Sequence, residues 1–209
     1  MNFKLGLKKN GLFICLAFAI LLTTACKKDE TDPYLETWKQ QNDQAFNNLA
    51  SNPDYQELRI PGGVGNIYYR VLQKGEGKRT YYNSRAEVYY KGWYVVTNTD
   101  YSIKAGDVFD QRLFDDGITF KVAVSDQVAN STYRQIGVYG WKIALQHMVE
   151  GDKWEVVIPY RLAYEEQGTT GIPGYSTLAF EIELIKALDP DEFEWPSGGS
   201  SDPYYNPYY

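Results

Sequence analysis

An α+β domain with a helical extension on its N-terminal side is the fold this sequence predicts, from two residue patterns and one feature of composition. Apolar residues alternate with polar ones through Ile67–Gln73, Arg85–Tyr94, Thr119–Val124, Lys153–Pro159 and Thr177–Leu188, which is the period of a strand with one buried face. One segment has a helical period instead: Trp141, Ala144, Leu145 and Met148 recur every three or four residues and Gly151 follows as a stop. Aromatic residues make up 16% of the chain, including 19 tyrosines, and such side chains suit strands and binding surfaces better than a helical bundle.

The chain opens on a targeting pattern. Lys4, Lys8 and Lys9 form a basic start, and the apolar run from Leu12 to Leu22 is too short to cross a bilayer comfortably. The run ends in Thr23-Thr24-Ala25-Cys26, which resembles the lipobox of bacterial lipoproteins and implies cleavage before Cys26 and acylation of its thiol. A plain secretory signal cleaved near Ala25, or a membrane-spanning anchor, is the other reading. Cleavage removes three lysines and no acids, taking the formal charge from −6 to −9. It also removes Cys15, so Cys26 is then the sole cysteine and no intrachain disulfide is available. Lys27-Lys28-Asp29-Glu30 resembles the short charged signal that sends some Gram-negative lipoproteins to the cell surface, although a solvated linker reads the same way. The expectation is a membrane-anchored lipoprotein on the periplasmic or the cell-surface side of the outer membrane.

Next comes a helix. Asp32 before Pro33 is an N-cap followed by the proline favoured in a first turn. Leu35, Trp38, Ala45 and Leu49 continue at helical spacing until Asn52-Pro53 stops them. On sequence it is a packing appendage or a spacer. Pro61-Gly62-Gly63-Val64-Gly65 reads as a hinge-like connector, and the strand patterns begin at Asn66. The clearest is the last, where Leu178, Phe180, Ile182 and Leu184 alternate with Ala179, Glu181, Glu183 and Ile185 to give one buried and one wet face. From Pro196 the Gly, Ser, Tyr and Pro composition cannot bury a core and reads as a disordered tail. The expected organisation is a signal peptide over 1–25, a tether and helix over 26–65, the folded domain over 66–190 and the tail over 191–209.

Composition excludes many functions. An acidic chain is repelled by a phosphate backbone, so nucleic acid is not an expected partner. His147 is the only histidine and Cys26 is consumed by the anchor, so His/Cys metal sites and Ser/His/Asp or Cys/His catalysis lack their parts. No metal and no cofactor is expected. Gly75-Glu76-Gly77 reads as a turn, and the pairs Asp115-Asp116 and Glu165-Glu166 read as solvated loop charges.

What remains is an ordered series of aromatic and apolar signposts: Tyr89-Tyr90-Lys91-Gly92, Val108-Phe109-Asp110, Thr119-Phe120-Lys121-Val122, Val138-Tyr139-Gly140-Trp141, Met148-Val149-Glu150-Gly151-Asp152, Val157-Ile158-Pro159, Leu162-Ala163-Tyr164, Gly171-Ile172-Pro173 and Ser176 through Leu184. Collinear over Ile67 to Leu188, the series resembles the FKBP-type peptidyl-prolyl cis/trans isomerases. The resemblance implies a twisted antiparallel sheet wrapped on one short helix. It also implies a proline pocket of Tyr90, Phe109, Asp110, Phe120, Val138, Trp141, Tyr164, Ile172 and Phe180. Trp141 would be its floor, and the Val138 N–H and Tyr164 hydroxyl would hold the carbonyls of the substrate.

The implied activity is isomerisation of X-Pro bonds in exported polypeptides, with proline-containing chains as partners and the bilayer as a second partner through acylated Cys26. The alternative is a catalytically weak FKBP-like binding module on a surface lipoprotein. Three departures from the family pattern carry expectations of their own. The segments Val95–Gly106 and Val124–Ile136 are longer than usual, and the second borders the pocket. Where the family has Gly after the position of Tyr164, this chain has Glu165-Glu166. A different turn and an acidic rim follow, and the rim is expected to favour substrates with Lys or Arg near the proline.

Overall fold

The computed structural model describes residues 32–60, 65–100 and 102–188. The expected signal peptide, Cys26, most of the connector (61–64) and the tail all lie outside these residues. Helix α1 spans Pro33–Asn48, and the Asp32 side chain caps it by accepting from the Tyr34 N–H at 3.0 Å. A 3-10 turn, Leu49–Ser51, extends it. Eight strands follow: β1 Gln56–Arg59, β2 Asn66–Gln73, β3 Arg85–Tyr94, β4 Val108–Arg112, β5 Phe120–Ala123, β6 Arg134–Gln135, β7 Lys153–Ile158 and β8 Leu178–Leu188. The short helix α2, Tyr139–Leu145, lies between β6 and β7.

The strands form one sheet in the order β1-β2-β7-β8-β3-β5-β6, with β4 also paired to β3. All pairs are antiparallel except β5 with β6. The α+β reading therefore holds. Strand β3 is central. Its full length, Arg85 to Tyr94, pairs with β8. On its other edge, β5 takes Arg85–Val88 and β4 takes Tyr90–Trp93, because each neighbour is only about half as long. Two short strands thus share one edge, and the chain between them leaves the sheet beside Tyr89.

The alternation in β8 changes phase once. Val88 faces Leu184 but Glu87 faces Lys186, so Ile185 is the extra residue of a bulge. Ile185 turns outward at 38% exposure and Ala187 returns to the core at 1%. Ala179, expected on the wet face, is also buried, because Phe46 of α1 covers that end of the sheet with Tyr68 and Val157.

Helix α2 is too short to persist alone and depends on its packing. Gly140, Trp141, Ile143, Ala144 and Leu145 are all buried. A Cβ on Gly140 would sit 2.5 Å from Ile158 Cγ2, so this glycine is what lets the helix lie against β7. The helix ends at Leu145, earlier than the run to Met148 suggests. The Leu145 and Met148 carbonyls instead accept from the buried Thr80 hydroxyl.

Helix α1 is no spacer. Trp38 is 1% exposed and belongs to the main core with Ile67, Leu145 and Leu178, while Leu35 packs against that core. Asn42, on the same face, is fully buried. Its Oδ1 accepts from the Thr177 N–H at 2.7 Å and its Nδ2 donates to the Trp38 carbonyl at 2.9 Å. The Tyr34 hydroxyl accepts from Asn98 at 2.7 Å, tying the long 95–106 segment to the helix. Sheet and core both continue across residue 65, since β1 pairs with β2 and Trp38 of α1 lies in the core.

Candidate active site

Residues of β3, β4, β5, β8 and α2 line a largely apolar cleft of about 100 Å³. Its floor is Trp141, 4% exposed, delivered by the first turn of α2. The indole meets Tyr90 at a centroid distance of 5.0 Å, Phe180 at 5.3 Å and Phe120 at 6.4 Å, each edge to face, the geometry that the ring quadrupoles favour. Phe109 from β4 closes the cluster, 5.6 Å from Phe180 and also edge to face. Space for it comes from Gly92 of β3, where a Cβ would stand 2.7 Å from both Phe109 Cζ and Phe180 Cε1.

One polar pair stands among the rings. The Tyr90 hydroxyl donates to Asp110 Oδ2 at 2.7 Å. Burial and then this hydrogen bond push the Tyr90 phenol far up from its ordinary value, so it is a neutral donor at any physiological pH. Tyr164 lies in the turn after β7, and burial, with the charge of Asp110 added, raises its phenol too. The cleft thus offers neutral hydroxyls, one carboxylate and aromatic walls.

Eight of the nine residues the sequence singled out line this cleft: Tyr90, Phe109, Asp110, Phe120, Val138, Trp141, Tyr164 and Phe180. Ile172 does not. It is 7% exposed within the main core, and its loop is held to β3 by the Tyr94 hydroxyl donating to the Gly171 carbonyl at 2.6 Å. Gln135, Ile136 and Gly137 form a rim just before α2; the sequence placed the long 124–136 segment at the border of the pocket without singling these residues out. They carry no periodic or chemical signal, and only their position one to three residues before Val138 hints at them. Glu165 and Glu166, which follow Tyr164, are exposed and are not among the residues that line the cleft. Glu165 takes the left-handed backbone, φ 57°, which costs a non-glycine residue about 1 kcal/mol. Its N–H and carbonyl are held by Tyr160 and Tyr175 at 2.8 and 3.0 Å.

A sequence model described as FKBP-type peptidyl-prolyl cis-trans isomerase matches residues 77–185, more than half of the chain. This chain belongs to the FKBP-type peptidyl-prolyl cis-trans isomerase family. Among its relatives, a macrophage infectivity potentiator from Trypanosoma cruzi is 34% identical over 143 residues, covering 67% of this chain and 60% of that protein. An FKBP-type 22 kDa peptidyl-prolyl cis-trans isomerase from Escherichia coli is 32% identical over 123 residues, covering 58% and 50%. The chain therefore spans between half and three-fifths of the length of these two relatives. The crystal structure of a peptidyl-prolyl cis-trans isomerase from Pseudomonas syringae superposes with a TM-score of 0.55 at 28% identity, covering 75% of this chain and 98% of that one. The FKBP fold is thus present, with the aromatic cleft between its sheet and α2.

Proposed function

We propose that this chain is an active peptidyl-prolyl cis/trans isomerase that assists the folding of exported polypeptides. The observation that carries this reading is a cleft floored by Trp141 and walled by aromatic rings, with the Tyr90–Asp110 pair beside it. Rotation about an X-Pro bond needs no nucleophile, base or metal. It needs a lower barrier than the ~18–20 kcal/mol that amide resonance imposes.

The planar amide is the charge-separated form and is well solvated. An apolar cleft that strips its water disfavours the planar state relative to the twisted one. Twisting withdraws the nitrogen lone pair from the carbonyl and leaves the carbonyl carbon electron-poor. A carboxylate at Asp110 favours that state, and the Tyr90 hydroxyl fixes its orientation. The Val138 N–H and the Tyr164 hydroxyl would hold the flanking carbonyls while the proline ring rests on Trp141. Each ~1.4 kcal/mol gained at the twisted state is tenfold in rate. Uncatalysed exchange takes tens to hundreds of seconds, so even modest acceleration relieves a folding step.

Asp110→Val separates enzyme from binder. If the carboxylate favours the twisted state by about 1.5–3 kcal/mol, the range for an interaction with a charged group, the catalysed exchange rate should fall roughly 10- to 100-fold. Binding of the same X-Pro peptide should change far less, because the contact strengthens only as the amide twists. Two-dimensional exchange NMR of one peptide with wild type and variant reads both quantities. A wild type that binds the peptide and leaves its exchange at the uncatalysed rate would replace the isomerase with an FKBP-like binding module.

We also infer that Cys26 is acylated and anchors the protein on the periplasmic or cell-surface side of the outer membrane. The short apolar run ending at Cys26 supports this. Acyl chains supply ~0.8 kcal/mol of membrane affinity per buried methylene, so Cys26→Ala should release the protein from membranes or leave it unprocessed. Unchanged membrane fractionation and lipid labelling of that variant would refute the anchor.

A further inference from the structure

A second groove, of about 270 Å³, begins where the cleft ends, and Phe120 lines both. Its charge runs against that of the rest of the chain. Arg112, Lys121 and Arg134 line it together with the exposed Ile118, and no carboxylate does. Lys121 has Glu87 within 3.6 Å, which offsets part of its charge. Glu87 is itself held ionised: burial pushes its carboxyl up, but hydrogen bonds from Thr119 and Tyr133 and the charge of Lys121 outweigh that and leave it below its ordinary value. Arg112 and Arg134 have no carboxylate partner among the described residues and are exposed. Two guanidinium groups are thus left unpaired at the mouth of a cleft in a chain of net charge −6.

The backbone beside these side chains is open as well. Strand β6 covers β5 only at Val122 and Ala123, so Phe120 and Lys121 have no strand paired to them on that side among the described residues. Such an edge accepts an extended chain through main-chain hydrogen bonds. Arg112 follows Asp110 by two residues on β4, a rise of about 7 Å, and Arg134 immediately precedes Gln135 of the cleft rim. A polypeptide with its proline on Trp141 would bring the residues two or three places away into this groove.

We propose that the groove of Arg112, Lys121 and Arg134 is a specificity subsite for carboxylate side chains flanking the proline of an extended polypeptide substrate. The protein then selects acidic X-Pro segments, the reverse of the preference inferred from Glu165-Glu166. This rests on the isomerase reading, and the experiment separates the two. Three peptides share one X-Pro core and carry Glu, Gln or Lys at the second and third positions on each side. Their exchange rates and affinities are measured with the intact chain at low and raised ionic strength, and with Arg112→Gln/Arg134→Gln.

Exposed charge pairs are individually weak, but two or three together should favour the Glu peptide over the Lys peptide about tenfold at low salt. Salt should shrink that preference. The double variant should abolish it while leaving exchange of the Gln peptide unchanged. Equal values for the Glu and Lys peptides, or a preference that survives in the double variant, would overturn the subsite. If no peptide is accelerated, the isomerase reading fails, and the affinities from the same titrations still decide the subsite by the same criterion.

Discussion

Trp141→Ala is expected to cost about 3–5 kcal/mol of stability, the range for removing a large aromatic from a well-packed core, and to abolish acceleration of X-Pro exchange. The indole is 4% exposed and meets three other rings edge to face. Its loss therefore opens a cavity shared by core and cleft. Because the two effects arrive together, a second variant is needed to separate them. Trp141 Nε1 has no hydrogen-bond partner among the described residues, so Trp141→Phe sacrifices packing and no hydrogen bond. It should cost roughly 1–2 kcal/mol and keep an aromatic floor. Urea unfolding gives the stabilities, and exchange NMR on the folded fraction gives the rates. If Trp141→Ala stays folded with undiminished acceleration, Trp141 is not the floor of the catalytic cleft.

Trp38→Ala should be as destabilising, again about 3–5 kcal/mol, although Trp38 belongs to a helix that the sequence presents as an appendage. Against a typical total of 5–15 kcal/mol, that loss would remove a large share of the stability of the domain. The side chain is 1% exposed in the main core. One turn further along, Asn42 satisfies the Thr177 N–H just before β8. Loosening α1 therefore exposes a backbone donor as well as apolar surface. Urea unfolding of the intact chain measures the cost, which should appear at constant m-value if the transition remains cooperative. A loss below 1 kcal/mol would return α1 to the status of a spacer.

The contrast between these two tryptophans shows what was legible. Trp141 could be read because its neighbours in sequence carry a family pattern. Trp38 looked dispensable because its stripe runs through Asn42, a polar residue that breaks an apolar period while being fully buried in a satisfied network. Polar groups that are paired across the fold carry no periodic signal, since their partners lie far away in the chain. The same limit hid three strands. Gln56–Arg59 in β1 and Arg134–Gln135 in β6 contain almost no apolar residues, and β4 has a mainly exposed pattern. Each exists because a neighbour offers it an edge.

By itself, the sequence determined the α+β class, the five strands that bury a face, the two helices and the aromatic set that gathers around Trp141. The class, the strands and the helices follow from local period and residue type, because burial of one face must repeat along the chain that forms it; the aromatic set follows from the family resemblance of the residues around it. Tertiary structure alone decided which residues complete the cleft and what charge surrounds it. Gln135, Ile136 and Gly137 enter the rim because β6 docks parallel to β5. Ile172 leaves the cleft because its loop is tied to Tyr94. Glu165 and Glu166 turn to solvent while Arg112, Lys121 and Arg134, spread over 23 positions of sequence, converge beside Phe120. Charges act through space rather than along the chain, so the field at the mouth of the cleft is set only when the strands pair.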